Sequence, residues 1–188
     1  MAHEPEFTPG EHGRIIFAHS FGLHLCDPEI LDHADLLVLF GGFRSFHPQA
    51  ARLRRRSQLV LRQMINRMEE APHQVLKDFY RNVFSPHEGW PPPEGALNRR
   101  LLQDDLKRLN ESKIASEQLN KIPNICILHG SRDAIVPCII GRELHDELYP
   151  GSNYLEIKQA GHALPFTHTE QSWLFIKSEI EKIILNYG

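Results

Sequence analysis

A chain of 188 residues, 41% hydrophobic and 24% charged, has the balance of an ordinary globular protein and is long enough to bury one core. No apolar run approaches the ~20 residues that a membrane span needs, and the first residues, Met1-Ala2-His3-Glu4-Pro5, lack the basic-then-apolar pattern of a secretory signal. A single domain in the cytoplasm, with no membrane partner, is therefore expected, and the formal net charge of −3 gives no global pull toward nucleic acid.

Residues 1–13 are polar, with Pro5, Pro9, Gly10 and Gly13, and are expected to form a loop or tail. Next comes Arg14-Ile15-Ile16-Phe17-Ala18-His19-Ser20-Phe21-Gly22. An apolar, partly β-branched run enters a small-x-Ser-x-small pentapeptide, the pattern of a buried strand that turns sharply into a helix and exposes a serine. Ala18 and Gly22 are expected to be small for steric reasons, since larger side chains would collide with the neighbouring strand or the helix start. Ser20 is the candidate nucleophile, and the Phe21 N–H is the candidate oxyanion donor. The pentapeptide is weak alone, because it recurs by chance and Ala18 stands where glycine is usual.

A short helix is expected near Phe21 to Cys26, resuming from Pro28 to His33. Leu36-Leu37-Val38-Leu39-Phe40 is a second buried strand, left through Gly41-Gly42-Phe43. From about Gln49 to Asn110 helix formers dominate, interrupted at Pro72, Ser85-Pro86 and Trp90-Pro91-Pro92-Pro93, which predicts helices over Ala50 to Glu70, Pro72 to Phe84 and Gly95 to Asn110, then a short turn. This segment holds twelve Lys/Arg against seven Asp/Glu. Its arginines either form a solvated helix face or dock an acidic partner; no motif or aromatic interleaving accompanies them, so nucleic acid is not expected.

Two later stretches supply partners for a serine. Ile125-Cys126-Ile127-Leu128-His129-Gly130-Ser131-Arg132-Asp133-Ala134-Ile135-Val136-Pro137 is a buried strand ending in a loop that carries Asp133, the candidate acid. Tyr154-Leu155-Glu156-Ile157 is a short strand before Lys158-Gln159-Ala160-Gly161-His162-Ala163-Leu164-Pro165, which presents His162 as candidate base. The order Ser, Asp, His is that of the α/β-hydrolases and differs from chymotrypsin and subtilisin. No metal or other cofactor is required. His12, His19, His24 and His33 with Cys26 straddle a strand, a turn and a helix, so they are not expected to bind metal. Cys26, Cys126 and Cys138 lack metal-type spacing and are expected as free thiols of a reducing compartment.

The elbow, the Gly-Ser-Arg-Asp-Ala-Ile-Val-Pro loop and the Ala-Gly-His-Ala-Leu-Pro-Phe loop together resemble the α/β-hydrolase superfamily, and within it the pimeloyl-acyl-carrier-protein methyl ester esterases of biotin synthesis. The resemblance runs from Ile15 to about Ile180. It implies an α/β fold with an α/β-hydrolase-type parallel sheet of about four strands, near Arg14, Leu36, Ile125 and Tyr154, and a helical lid insert. Residues 14–48 and 111–188 would be the core and 49–110 the lid, which decides what reaches the serine. It further implies that Phe79, Tyr80, Arg81, Asn82 and Val83 touch the substrate chain, beside Ser20, Phe21 and His162; their spacing equally suits packing of the lid on the core. Arg54, Arg55, Arg56 and Arg62 would dock an acidic acyl carrier protein.

The implied activity is a serine carboxylesterase acting on an acyl-carrier-bound or small acyl ester. A carbon–carbon bond hydrolase on the same triad, or a catalytically weak chain that binds an acidic partner, are the alternatives. In the family four strands precede the elbow and bring a second oxyanion donor. Only thirteen residues stand before Arg14 here, so the sheet is N-terminally short and its first strand is expected to have a bare edge. A truncated gene product, a second copy covering the edge in a homodimer, and a partner chain supplying strands are all compatible with that.

Overall fold

The computed structural model describes residues 13–187. The predicted polar tail lies outside the described residues except for Gly13. Four strands form one parallel sheet in the order β1 (Ile15–His19), β2 (Leu36–Phe40), β3 (Ile125–Gly130) and β4 (Ser152–Ile157). The register runs from Ile15 opposite Leu36, through Leu37 opposite Ile125, to Ile125 opposite Ser152. β2 and β3 are apolar almost throughout because they occupy the middle, where helices cover both faces.

Alternation along the strands divides the core. Leu37, Leu39, Ile125 and Ile127 pack on one face with Leu31, Leu119, Leu144 and Leu148, from α1 (Pro28–Asp32), α5 (Ser116–Leu119) and α6 (Cys138–Leu148). Leu36, Val38, Cys126 and Leu128 pack on the other with Leu164 and Ile176, from α7 (Leu164–Thr167) and α8 (Thr169–Tyr187). Each buried leucine or isoleucine contributes about 1.5–3 kcal/mol, so these two layers hold the strand ends in place. Among the described residues β1 pairs on one side only, and Phe17 is 52% exposed although its ring stacks on Phe40.

The short helix expected after the elbow and its restart at Pro28 are both present, the first as a tighter helix than an α-helix. Ser20–Leu25 is a 3₁₀ turn, and α1 starts afresh at Pro28 with Asp27 as its N-cap. Cys26-Asp27-Pro28 cannot continue a helix, because proline disfavours helical geometry at the preceding residue and lacks an N–H.

The insert comprises α2 (Ala51–Glu70), α3 (Pro72–Phe84) and α4 (Arg99–Glu111). The predicted start of α4 at Gly95 is corrected to Arg99. Gly95 has φ +146°, outside helical space, and Asn98 caps the helix by accepting the Leu101 N–H at 3.0 Å. The insert leaves the core through a paired neck, where Ser45 bridges Lys113 and the Ile114 N–H donates to the Arg44 carbonyl at 3.0 Å. Among the described residues no helix is long and apolar enough to cross a membrane.

Candidate active site

Ser20 follows β1 directly and has φ +56°, a left-handed conformation that a side chain rarely adopts. Such a bend between strand and 3₁₀ turn lifts the serine out of the sheet. The steric expectation at its flank is corrected: a Cβ at Gly22 would meet nothing within 4 Å. Close approach requires glycine elsewhere. At Gly41, φ is +53° and a Cβ would stand 3.2 Å from His162 Nδ1 and 3.3 Å from Asp133 Oδ2. At Gly130 it would stand 2.5 Å from the carbonyl oxygens of Ala160 and Gly161. The glycines therefore mark where the acid and base loops converge on β2 and β3.

Asp133 and His162 are both buried, and His162 Nδ1–H donates to Asp133 Oδ2 at 2.7 Å. The other oxygen, Oδ1, accepts the N–H groups of Ile135 and Val136, each at 2.8 Å. The carboxylate is thus held from both ends, and because Nδ1 faces it, Nε2 is left with its lone pair for a proton acceptor role. Among the described residues no hydrogen bond joins the Ser20 hydroxyl to His162; such bonds often tighten only when substrate binds. The Phe21 N–H heads the 3₁₀ turn, where the first N–H groups of a helical segment have no acceptor of their own.

Two histidines not singled out for the site buttress it. His19 Nε2–H donates to the His162 carbonyl at 2.9 Å, and the two rings lie 4.7 Å apart. Burial, aided by the neighbouring His162, lowers its pKa to about 4, so His19 is neutral near pH 7. His129, at the end of β3, is fully buried, donates through Nε2 to the Val136 carbonyl at 2.7 Å, and lies 3.5 Å from Asp133 Oδ2. Desolvation holds it below the usual histidine range. It fits because Gly141 of α6 leaves room: a Cβ there would overlap the His129 ring. The only sequence signals were the His-Gly pair before the acid loop and His19 beside the serine.

The insert meets the base loop directly. The Ala163 N–H donates to the Val83 carbonyl at 2.9 Å, and a side chain at Gly161 would overlap the Ser85 carbonyl. The five residues expected to touch substrate separate. Phe79 and Asn82 line a cavity of about 550 Å³ between α2, α3, α4 and the loop after Asp133. Tyr80 and Arg81 line a second cavity, of about 820 Å³, with Phe84 and Trp90. Val83 touches the base loop through its carbonyl. The first cavity is mainly apolar, with Leu53, Val60, Met64 and Leu106 among its walls. Four more of its lining residues, Phe46, Leu109, Ile135 and Ile139, pack in one apolar cluster with Phe21, the residue after the nucleophile candidate.

The four arginines considered for docking also separate. Arg54 donates to the Pro48 and Gln49 carbonyls at 3.1 and 2.9 Å. Arg56 lines the apolar cavity. Arg55 and Arg62 are exposed, seven residues apart on one ridge of α2 roughly opposite the cavity at 100° per residue. Of the histidines near the start of the chain, His12 lies outside the described residues, and His24 hydrogen-bonds Ser112 Oγ at 2.7 Å and the Phe43 carbonyl at 3.0 Å. Among the described residues no group of three metal-ligating side chains comes together.

A parallel sheet whose strand ends carry a strained serine, an acid and a histidine in that order defines the α/β-hydrolase fold, and solved structures of that fold superpose on the chain. An esterase from Exiguobacterium antarcticum matches with a TM-score of 0.63 at 16% identity, over 89% of this chain and 65% of its own. A bromoperoxidase from Bacillus anthracis gives 0.60 at 19%, over 87% and 67%. An alpha/beta hydrolase from the metagenome of Mar Chica lagoon sediments gives 0.54 at 15%, over 92% and 63%. The chain thus spans about two thirds of the length of these structures. No family model matches the chain, and no curated protein matches it by sequence.

Proposed function

We propose that the chain hydrolyses a carboxylic ester at Ser20. The observation that carries this is the buried His162–Asp133 pair, joined at 2.7 Å, packed against His19 with rings 4.7 Å apart, the residue directly before a serine held at φ +56° at the end of a parallel strand. Nε2 of His162 takes the Ser20 proton as the hydroxyl oxygen attacks the ester carbonyl. Asp133 keeps the imidazole in the required tautomer and stabilises its cation, and the Phe21 N–H donates to the tetrahedral oxyanion. His162 then passes the proton to the departing alcohol. Water attacks the acyl-enzyme with His162 again as base, which releases the acid and restores Ser20. The esterases among the solved neighbours support this reading.

Within that activity, the preferred substrate is the methyl ester of a carrier-borne acyl chain, of the pimeloyl-acyl-carrier-protein type used in cytoplasmic biotin synthesis. Two features support it. The apolar cavity, some of whose wall residues pack in one cluster with Phe21, suits an acyl chain, and the Arg55 and Arg62 ridge suits an acidic carrier.

The test is hydrolysis of short and medium p-nitrophenyl esters by the purified chain and by Ser20→Ala, with fluorophosphonate labelling of both. Turnover and labelling lost in the variant are expected; equal rates and equal labelling would overturn the reading. Charge reversal at Arg55 and Arg62 should weaken a carrier-bound ester far more than a soluble one, and equal effects would remove the carrier from the proposal.

A further inference from the structure

We infer that His24 is a positioning residue that ties the neck of the helical insert to the turn carrying the Phe21 N–H, so that the seating of the insert sets where that oxyanion donor stands. The inference rests on the ester-hydrolase reading for its chemistry and on the contacts of His24 alone for its geometry. Ser20–Leu25 is a 3₁₀ turn, closed off by Cys26-Asp27-Pro28. With three residues per turn, side chains three apart eclipse. Phe21 and His24 accordingly stack, their ring centroids 4.9 Å apart and their planes at 17°.

The same imidazole is held by both strands of the neck. Nε2–H donates to the Phe43 carbonyl at 3.0 Å, on the segment leading out to α2, and Nδ1 accepts from the Ser112 hydroxyl at 2.7 Å, on the segment returning from α4. A carbonyl can only accept, so this is the one neutral tautomer that satisfies both bonds, and burial holds the pKa of His24 below the usual histidine range. Phe43, fully buried, closes the stack, with its ring 5.0 Å from His24 and 6.4 Å from Phe21. Just beyond these contacts the neck is pinned by the Ser45–Lys113 bridge and by the Ile114 N–H on the Arg44 carbonyl. The insert joins the core chain through these two segments. A shift of the neck therefore carries the imidazole with it, and with the imidazole the ring of the residue that supplies the donor.

A double-variant cycle on p-nitrophenyl butyrate tests the link. His24→Phe keeps a ring against Phe21 and loses both bonds to the neck, whereas Ser112→Ala removes one bond from the neck side alone. Expected are falls in kcat of about tenfold in His24→Phe and about threefold in Ser112→Ala, the sizes of two and one lost hydrogen bonds. KM should stay unchanged, because a donor used only in the transition state acts on kcat. Once residue 24 is phenylalanine, Ser112→Ala should add nothing further. His24→Gln, whose amide can donate to the Phe43 carbonyl, should recover part of the loss, and the exposed His33→Gln should match wild type. An unchanged kcat in Ser112→Ala, effects that multiply in the double variant, or a rise in KM at constant kcat overturns the inference.

Amide hydrogen exchange read by mass spectrometry decides the question independently of turnover. Ser112→Ala should speed exchange about threefold in a peptide over residues 21–26 as well as in one over residues 43–47. Faster exchange in the neck alone, or in neither peptide, overturns the link. Coupled exchange without hydrolysis in wild type would fault the catalytic reading and leave the link standing; hydrolysis with uncoupled exchange and an unchanged kcat would do the reverse.

Discussion

The two halves of the candidate site are built differently. The acid–base half lies on β3 and the loop after β4, inside packed neighbours: Asp133 accepts three hydrogen bonds, His162 is buried, and Gly130 and Gly161 sit where no side chain fits. The nucleophile half lies at the end of β1, which pairs on one side among the described residues. Phe17 is half exposed and Gly22 has open space around its Cα. Geometry in the first half is over-determined by contacts; in the second it rests on the strained bend at Ser20 and the apolar cluster of Phe21. On the proposed ester-hydrolase reading a preorganised base works with a less enclosed nucleophile, and the Phe21 N–H is the oxyanion donor, a group whose loss typically costs on the order of 10²–10³ in rate.

The largest effect on turnover is expected from the enclosed half. Asp133→Asn should lower kcat by about 10³–10⁴, because it removes the charge that fixes the His162 tautomer; steady-state kinetics on a p-nitrophenyl ester measures this, and a loss under tenfold would contradict the assigned role. Next comes stability. Gly130→Ala pushes a Cβ to 2.5 Å from two carbonyl oxygens and should cost about 1–3 kcal/mol, whereas Gly22→Ala should stay within about 0.5 kcal/mol of wild type. Urea unfolding of both variants tests the contrast, and similar costs would erase it.

A pH effect links the halves. His19, next to Ser20, has a folded-state pKa lowered from 6.5 to about 4 by burial first and by His162 second. The unfolded chain therefore binds the extra proton first as pH falls. The contribution of His19 to stability is complete above about pH 6.5 and is lost progressively toward pH 4. Unfolding midpoints of His19→Phe should fall less steeply across that window than those of wild type; parallel curves would show that other groups dominate. The smallest effect is in thiol labelling. Burial pushes the Cys126 thiol of β3 up to about 12, while Cys26, beside the elbow turn, is only half-buried. Native labelling with a chromogenic disulfide should reach Cys26 well before Cys126, and equal rates would mean that β3 opens as readily as the elbow.

The strands and the triad candidates were legible because their signals are local. Leu36 to Phe40 and Ile125 to Gly130 are apolar runs bounded by glycine, and the serine, acid and histidine loops each follow such a run. The start of α4 was misplaced because an Asn cap within a proline-rich approach competes with a glycine that composition alone allows in a helix. His129 as a buttress of Asp133 was not legible, since a histidine in a strand becomes informative only when a distant glycine, Gly141, makes room for its ring. The docking of Val83 and Ser85 on the base loop likewise joins segments about eighty residues apart.

By itself the sequence determined the order of strands and helices, the insert and the three residues offered for chemistry, because periodicity, turn residues and chain order are properties of neighbours along the chain. Tertiary structure alone decided that Asp133 and His162 meet at 2.7 Å. It also decided that Arg56 faces a cavity while Arg55 and Arg62 do not, and that Phe79 and Tyr80 line different spaces. Which side of a helix is inward, and which two loops touch, depends on how whole elements pack, and that information is carried by no single stretch of residues.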